Sequence, residues 1–189
     1  MVLKLNNIVI AGQGAMGLLW YHHLAQNVGI NSFKNVSLLA SNQSLLVEQK
    51  DQYARYEYCS YQQKKSYSYP LIYSTNQDIA CADIIMLCLK SVHIAETIKK
   101  IAKQIKPDCI VILAHNGLGV FDKIVNWLDY QQVIVTLLTT HGCLRHSPLS
   151  IEHTGLGKND LGLLAGTLPL IKRDQLANKL QDALPEVIF

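Results

Sequence analysis

Short, nearly uninterrupted apolar runs alternate along the chain with segments whose apolar residues recur every three or four positions, which predicts strands and helices in turn. Ile8-Val9-Ile10-Ala11 reads as a buried strand, and Met16, Leu19, Trp20 and Leu24 mark a helix from Met16 to Val28, with Gly29 as its stop. Val36-Ser37-Leu38-Leu39-Ala40 predicts the second strand. Asp83 to Leu89, Cys109 to Ala114 and Val133 to Leu138 are further buried strands. They are separated by one helix with Ile94, Ala95, Ile98 and Ile101 on its face and another marked by Phe121, Ile124, Val125 and Leu128. Ser91 is placed to cap the first of these helices, and Pro107 ends its region. Leu149 to His153 and Asp160 to Leu164 predict strands joined by a turn at Gly155 to Gly157. Leu170 to Leu184, with Leu176, Leu180 and Leu184 on one face, predicts a last helix before the apolar Val187-Ile188-Phe189. Strands and helices in this alternation argue for a parallel sheet covered on both faces.

Residues 53–73 break the rhythm. Tyr56 and Tyr58 alternate with Arg55 and Glu57, and Tyr67 and Tyr69 with Ser66 and Ser68, which is the period of a strand. Gln62-Gln63-Lys64-Lys65 is then the loop of a hairpin. Base stacking on the tyrosines is the functional alternative. A solvated hairpin held by cross-strand tyrosine pairs is favoured over it.

Composition narrows the picture. The 189 residues, 49% of them hydrophobic, suit one globular domain over 1–189, with the hairpin at 53–73 and the final helix and strand at 170–189. A formal charge of +3 with scattered lysines argues against a nucleic-acid partner. No apolar run is long enough for a membrane span, and Lys4, Asn6 and Asn7 interrupt any signal-like segment. Five cysteines without a C-x-x-C pair, Cys59, Cys81, Cys88, Cys109 and Cys143, point away from zinc and disulfides and toward a reducing cytoplasm. His22 and His23, mid-helix, are expected at the surface, and Arg145 and His146 on a surface loop.

The candidate chemistry begins where the first strand ends. Gly12, Gly14 and Gly17 stand at the spacing G-x-G-x-x-G between strand and helix. In a dinucleotide site the first glycine makes the tight turn, the second admits the pyrophosphate to the backbone and the third lets helix and strand pack. The phosphates then sit on free N–H groups at the helix start. The same spacing also serves plain packing, and some methyltransferases and sugar-nucleotide enzymes carry similar loops. No Asp or Glu follows the second strand, where NAD sites use a carboxylate on the ribose; Ser41-Asn42-Gln43 stand there, which favours NADP, with NAD still possible. Lys50 and Arg55 are the cations further along that could supply charge. Gly155-Leu156-Gly157-Lys158 lacks the spacing of a phosphate loop.

In an open parallel sheet, ligands bind beyond the carboxyl ends of the strands. Lys90, Asn116 and Thr139-Thr140-His141 each follow a buried strand and are expected in one crevice with the glycine loop. Each has a plainer role open to it: helix entry for Lys90, an Asn-Gly turn for Asn116, and structural packing for His141.

Together the GQGAMG loop, LCLKS around Lys90, HNGLG at His115 to Gly119 and TTHG at Thr139 to Gly142 resemble the ketopantoate reductase (2-dehydropantoate 2-reductase) family, in order along the chain. The resemblance implies a doubly wound α/β Rossmann-type domain with a β-hairpin insertion, and NADPH-dependent reduction of a 2-keto acid on the path to pantothenate. It implies that Gly12, Gln13, Gly14, Ala15, Met16 and Gly17 cradle the cofactor, with Ser41 at its ribose phosphate. Lys90 is implied near the ribose and nicotinamide, Asn116 on both cofactor and substrate, and Thr140 beside the substrate. The family's arginine after the second strand is Ser41 or its neighbour here. The family's helical second domain, with the general-acid lysine and a substrate-seating glutamate and serine, is expected beyond Phe189, so no catalytic residue is assigned within the chain. The expected partners are a 2-keto acid and either a helical C-terminal domain or a second copy of the chain. A non-catalytic NAD(P)-binding or sensing module is the alternative.

Overall fold

The computed structural model describes residues 5–27, 32–39, 52–115, 119–129, 131–184 and 187–189. Ser41 and Asn116 lie outside the described residues, as do Lys50 and the Ser41-Asn42-Gln43 strand end.

Apolar runs with no polar face need cover on both sides, and the main sheet provides it. β1 (Asn7–Ala11) lies between β2 (Asn35–Leu39) and β5 (Ile84–Leu87), parallel to both, with Ile10 opposite Leu38 and Met86. β6 (Ile110–Leu113) and β7 (Val133–Thr139) extend the parallel set. The full order is β11-β10-β7-β6-β5-β1-β2. Because side chains alternate across a strand, Ile8 and Ile10 face one layer and Val9 and Ala11 the other. The first layer holds α1 (Ala15–Gln26) and α5 (Leu170–Gln181); the second holds α2 (Asn76–Cys81), α3 (Ser91–Ile101) and the single turn α4 (Phe121–Ile124). The doubly wound α/β expectation therefore holds, with one change. β10 (Asn159–Ala165) runs antiparallel to β7, so the sheet is mixed.

The hairpin is not the solvated appendage that was expected. β3 (Tyr53–Cys59) pairs with β4 (Ser66–Ile72) as a hairpin, and its other edge pairs in parallel with β9 (Ser150–Gly155), which joins β8 (Gly142–Ser147). This second sheet, in the order β4-β3-β9-β8, packs on α1 from the side opposite the main sheet. Tyr56 and Tyr58 alternate inward as the period predicted, but they are buried there. Consequently β9 and β10 lie in different sheets, and Arg145 and His146 sit on a strand rather than a loop.

Covering α1 on both sides overturns the surface placement of the histidine pair. His22 is 7% exposed, stacked on Tyr58 at 3.5 Å between ring centroids, with its Nδ1 2.8 Å from the Tyr56 hydroxyl. A helix sandwiched between sheets has no solvent face from which to predict exposure. At α3, Ser91 is the first helical residue and Lys90 occupies the cap, with no side-chain cap bond.

Asp83, just before β5, ties the chain start to the sheet. Its carboxylate accepts from the Asn6 and Asn7 amides at 2.7 and 2.9 Å and from Lys106 Nζ. Burial alone would raise its pKa, but the Lys106 bond and the two amides hold it below the ordinary value.

Candidate dinucleotide site

β1 and β5 are neighbours where strand order reverses, since β2 follows on one side of β1 and β5 on the other. A crevice is expected above such a point. Here it is a cleft of about 590 Å³. Gly14, Ala15 and Met16 form one wall, Cys88 to Val92 another, and Ala114, His115 and Thr139 the end.

The three glycines have three different reasons to be glycine. Gly12 has φ +123°, and a Cβ there would stand 2.5 Å from the Cys88 carbonyl oxygen. At Gly17 a Cβ would lie 1.8 Å from the Gly12 oxygen, so only glycine lets α1 pass this close to the turn. At Gly14 a Cβ would meet nothing within 4 Å. Its open space faces the start of α1, which carries no acidic residue in its first turn and no side-chain cap. Unmet N–H groups, the positive end of the helix dipole and free room at the middle glycine are what a pyrophosphate requires. These residues fit a dinucleotide.

The strand-end residues converge as their positions implied, though not all of them. Lys90 is exposed at the rim, between β5 and α3. His115, after β6, is half-buried, and burial lowers its pKa, so the ring is neutral near pH 7. The Cys88 thiol is pushed up to about 12 by burial and stays protonated, a packing group rather than a nucleophile. At the end of β7 it is Thr139 that lines the cleft. Thr140 is exposed and holds the lead-in to β10 instead: its hydroxyl accepts from the Lys158 amide at 2.8 Å, and its own amide donates to the Lys158 carbonyl. His141 is buried away from the cleft, with Nδ1 accepting from the Gly157 amide at 3.2 Å and Nε2 3.1 Å from the Asn159 side chain. Among the described residues there is no cluster of three or more His, Cys, Asp or Glu that could hold a metal, and no helix long and apolar enough to cross a membrane.

Two features had no sequence signal. The hairpin of β8 and β9 reaches the glycine loop: Arg145 Nη1 donates to the Gln13 carbonyl at 3.2 Å and Gln13 Nε2 donates to the Pro148 carbonyl at 3.2 Å. The second is a buried histidine and tyrosine network. The Tyr58 hydroxyl is 3.4 Å from both His23 Nε2 and His153 Nδ1, and His153 Nε2 is 3.3 Å from His141 Nδ1. Burial first, then the neighbouring histidines, lowers His22 to about 3 and His23 to about 4, and lowers His153 as well. Only folding brings residues so far apart in sequence together, so spacing along the chain could not reveal either feature.

Comparison with known proteins agrees with this architecture. A 2-dehydropantoate 2-reductase of Vibrio cholerae serotype O1 is 26% identical over 160 residues, which is 82% of this chain and 47% of that protein. A 2-dehydropantoate 2-reductase of Halobacterium salinarum is 30% identical over 88 residues, 47% of this chain and 28% of that protein. The solved ternary structure of D-mandelate dehydrogenase with NADH and anilino(oxo)acetate superposes with a TM-score of 0.75 at 22% identity, covering 97% of this chain and 56% of that one. A putative 2-dehydropantoate 2-reductase from Enterococcus faecalis superposes at 0.71 with 19% identity, over 96% and 56%. The chain thus spans about half the length of the solved structures, and less than half of the curated relatives. Residues 8–166, from the first strand through the last long strand of the main sheet, match the family described as Ketopantoate reductase PanE/ApbA, and the chain belongs to that family.

Proposed function

We propose that this chain is the cofactor-binding half of an NADPH-dependent reductase of 2-dehydropantoate or a similar 2-keto acid. The observation that carries the reading is the convergence, in one cleft at the switch point, of the glycine loop with Lys90, His115 and Thr139. Gly12, Gln13, Gly14, Ala15, Met16 and Gly17 would hold the pyrophosphate, and Lys90 would lie beside the ribose and nicotinamide. Ser41 at the ribose phosphate and Asn116 between cofactor and substrate remain the assignments made from sequence. The bound dinucleotide supplies the hydride.

The chain's own residues then bind and orient. Unpaired N–H groups at the start of α1 neutralise phosphate charge, and Lys90 adds a positive group at the rim. The nascent alkoxide also needs a proton. His115, held neutral by burial, is a poor source at pH 7. We assign the donor to a helical second domain, and Val92, an exposed apolar residue at the cleft rim, suits a covering partner there.

The test is to mix the 189-residue chain with NADPH and ketopantoate and to follow both cofactor fluorescence and oxidation. Binding without sustained turnover is the expected result. No NADPH binding at all would sink the reading. Turnover by the chain alone would overturn the assignment of the proton donor.

A further inference from the structure

β8 lies along the glycine loop and touches it on both sides of Gly14. Arg145 Nη1 donates to the Gln13 carbonyl at 3.2 Å, and Cys143 Sγ donates to the Ala15 carbonyl at 3.4 Å. Arg145 is itself held, its Nε donating to the Ser147 carbonyl at 3.1 Å. The β8 to β9 register shifts between Arg145 and Ser147, a bulge of the kind that re-aims a side chain. Gln13 answers by donating from its amide to the Pro148 carbonyl at the hairpin tip. Among the described residues no carboxylate lies within ion-pair distance of Arg145.

The consequence follows from peptide geometry. A trans peptide is planar, so the carbonyl of one residue and the N–H of the next point in opposite directions. Fixing the Gln13 carbonyl toward β8 turns the Gly14 N–H away from it, and fixing the Ala15 carbonyl does the same for the Met16 N–H. Gly14 and Met16 line the cleft. Donors aimed in advance bind an anion without the ordering cost of a mobile loop.

We infer that Arg145 is a positioning residue for the dinucleotide: its two-pronged hold on the Gln13 and Ser147 carbonyls aims the Gly14 amide at the pyrophosphate. This rests on the functional reading above. A lysine keeps the charge but reaches only one carbonyl at a time, so charge and positioning separate.

The experiment measures NADPH and NADH affinity by fluorescence for the wild-type chain, Arg145→Lys and Arg145→Gln, with thermal unfolding alongside. Both variants are expected to bind both dinucleotides at least about tenfold more weakly, as loss of a hydrogen bond from a charged donor implies. Their melting temperatures should match the wild type, because Arg145 is exposed. Full affinity in Arg145→Lys, or a loss confined to NADPH, would instead make Arg145 a contact for phosphate charge and overturn the inference. Unchanged affinity in both variants would overturn it as well. If the wild type binds neither dinucleotide, the functional reading fails and the clamp is read directly by NMR relaxation of the Gly14 amide. Greater mobility in Arg145→Gln supports the clamp, and unchanged mobility refutes it.

Discussion

Acidification tests the buried histidine network most directly. His22 and His23 are carried by α1 into the space under the second sheet, where His153 and His141 meet them from β9 and the end of β7. Tyr56, Tyr58 and Tyr69 approach from the hairpin, Tyr61 from its loop and Cys143 from β8. Burial pushes Tyr58 and Cys143 up to about 12 and Tyr56 higher, so none of these three supplies an anion at neutral pH. The folded chain therefore favours neutral imidazoles, with His22 near 3 and His23 near 4 against an ordinary 6.5. The unfolded chain binds the extra protons, so stability rises with pH. The contribution is fully present above about 6.5 and falls away as the pH drops toward 4 and then 3. Between pH 7 and pH 5 the loss is about 2 kcal/mol for each of the two residues, roughly 4 kcal/mol together, against a typical total of about 5–15 kcal/mol. Most carboxylates titrate below this window and blur it little.

Urea unfolding at pH 7 and pH 5, read by the fluorescence of buried Trp20, measures the loss. His22→Phe should remove roughly half of the pH dependence while keeping a ring against Tyr58. A wild-type loss below about 1 kcal/mol, or an undiminished slope in the variant, would refute the account.

Four further outcomes are expected. Gly17→Ala forces backbone apart at the Gly12 oxygen and should cost about 3 kcal/mol or more, a fall of roughly 10 °C in thermal unfolding. Gly14→Ala, where a Cβ meets nothing and the backbone is extended, should melt like the wild type yet bind NADPH at least about tenfold more weakly, because the methyl takes the ligand's space. Asp83→Ala leaves the Asn6 and Asn7 amides and Lys106 without their acceptor and should lower stability by about 2–3 kcal/mol in denaturant titration. Lys90→Ala should weaken NADPH binding about fivefold while shifting the melting temperature by less than about 2 °C, since the side chain is exposed and ends no buried network.

The central strands β1, β5 and β6 were legible because each is a run buried on both faces, a pattern that needs no knowledge of partners. The glycine loop was legible for a similar reason: turn, close approach and helix start are consecutive in the chain, and the geometry at Gly12 and Gly17 requires what the spacing suggested. Lys90 and Thr139 reached the cleft because a parallel sheet presents its carboxyl ends together. Thr140 did not, since adjacent residues leaving a strand point to opposite sides, and one of the pair had to meet Lys158.

Periodicity reports whether a face is apolar, not what covers it. The alternating tyrosines of β3 correctly marked an inward face, yet nothing in residues 53–59 announces pairing with a strand that begins at Ser150. Without that pairing α1 looks half-solvated, and with it His22 becomes interior. Local spacing and strand direction sufficed for β1, β2, β5, β6 and β7 with α1, α3 and α4, for the glycine loop and for the end of the sheet at which the cleft opens, but they left α2 and β8 unassigned. The closing of a second sheet over α1, the meeting of four histidines beneath it and the contact of Arg145 with the loop each depend on residues distant along the chain, so they emerge with folding alone.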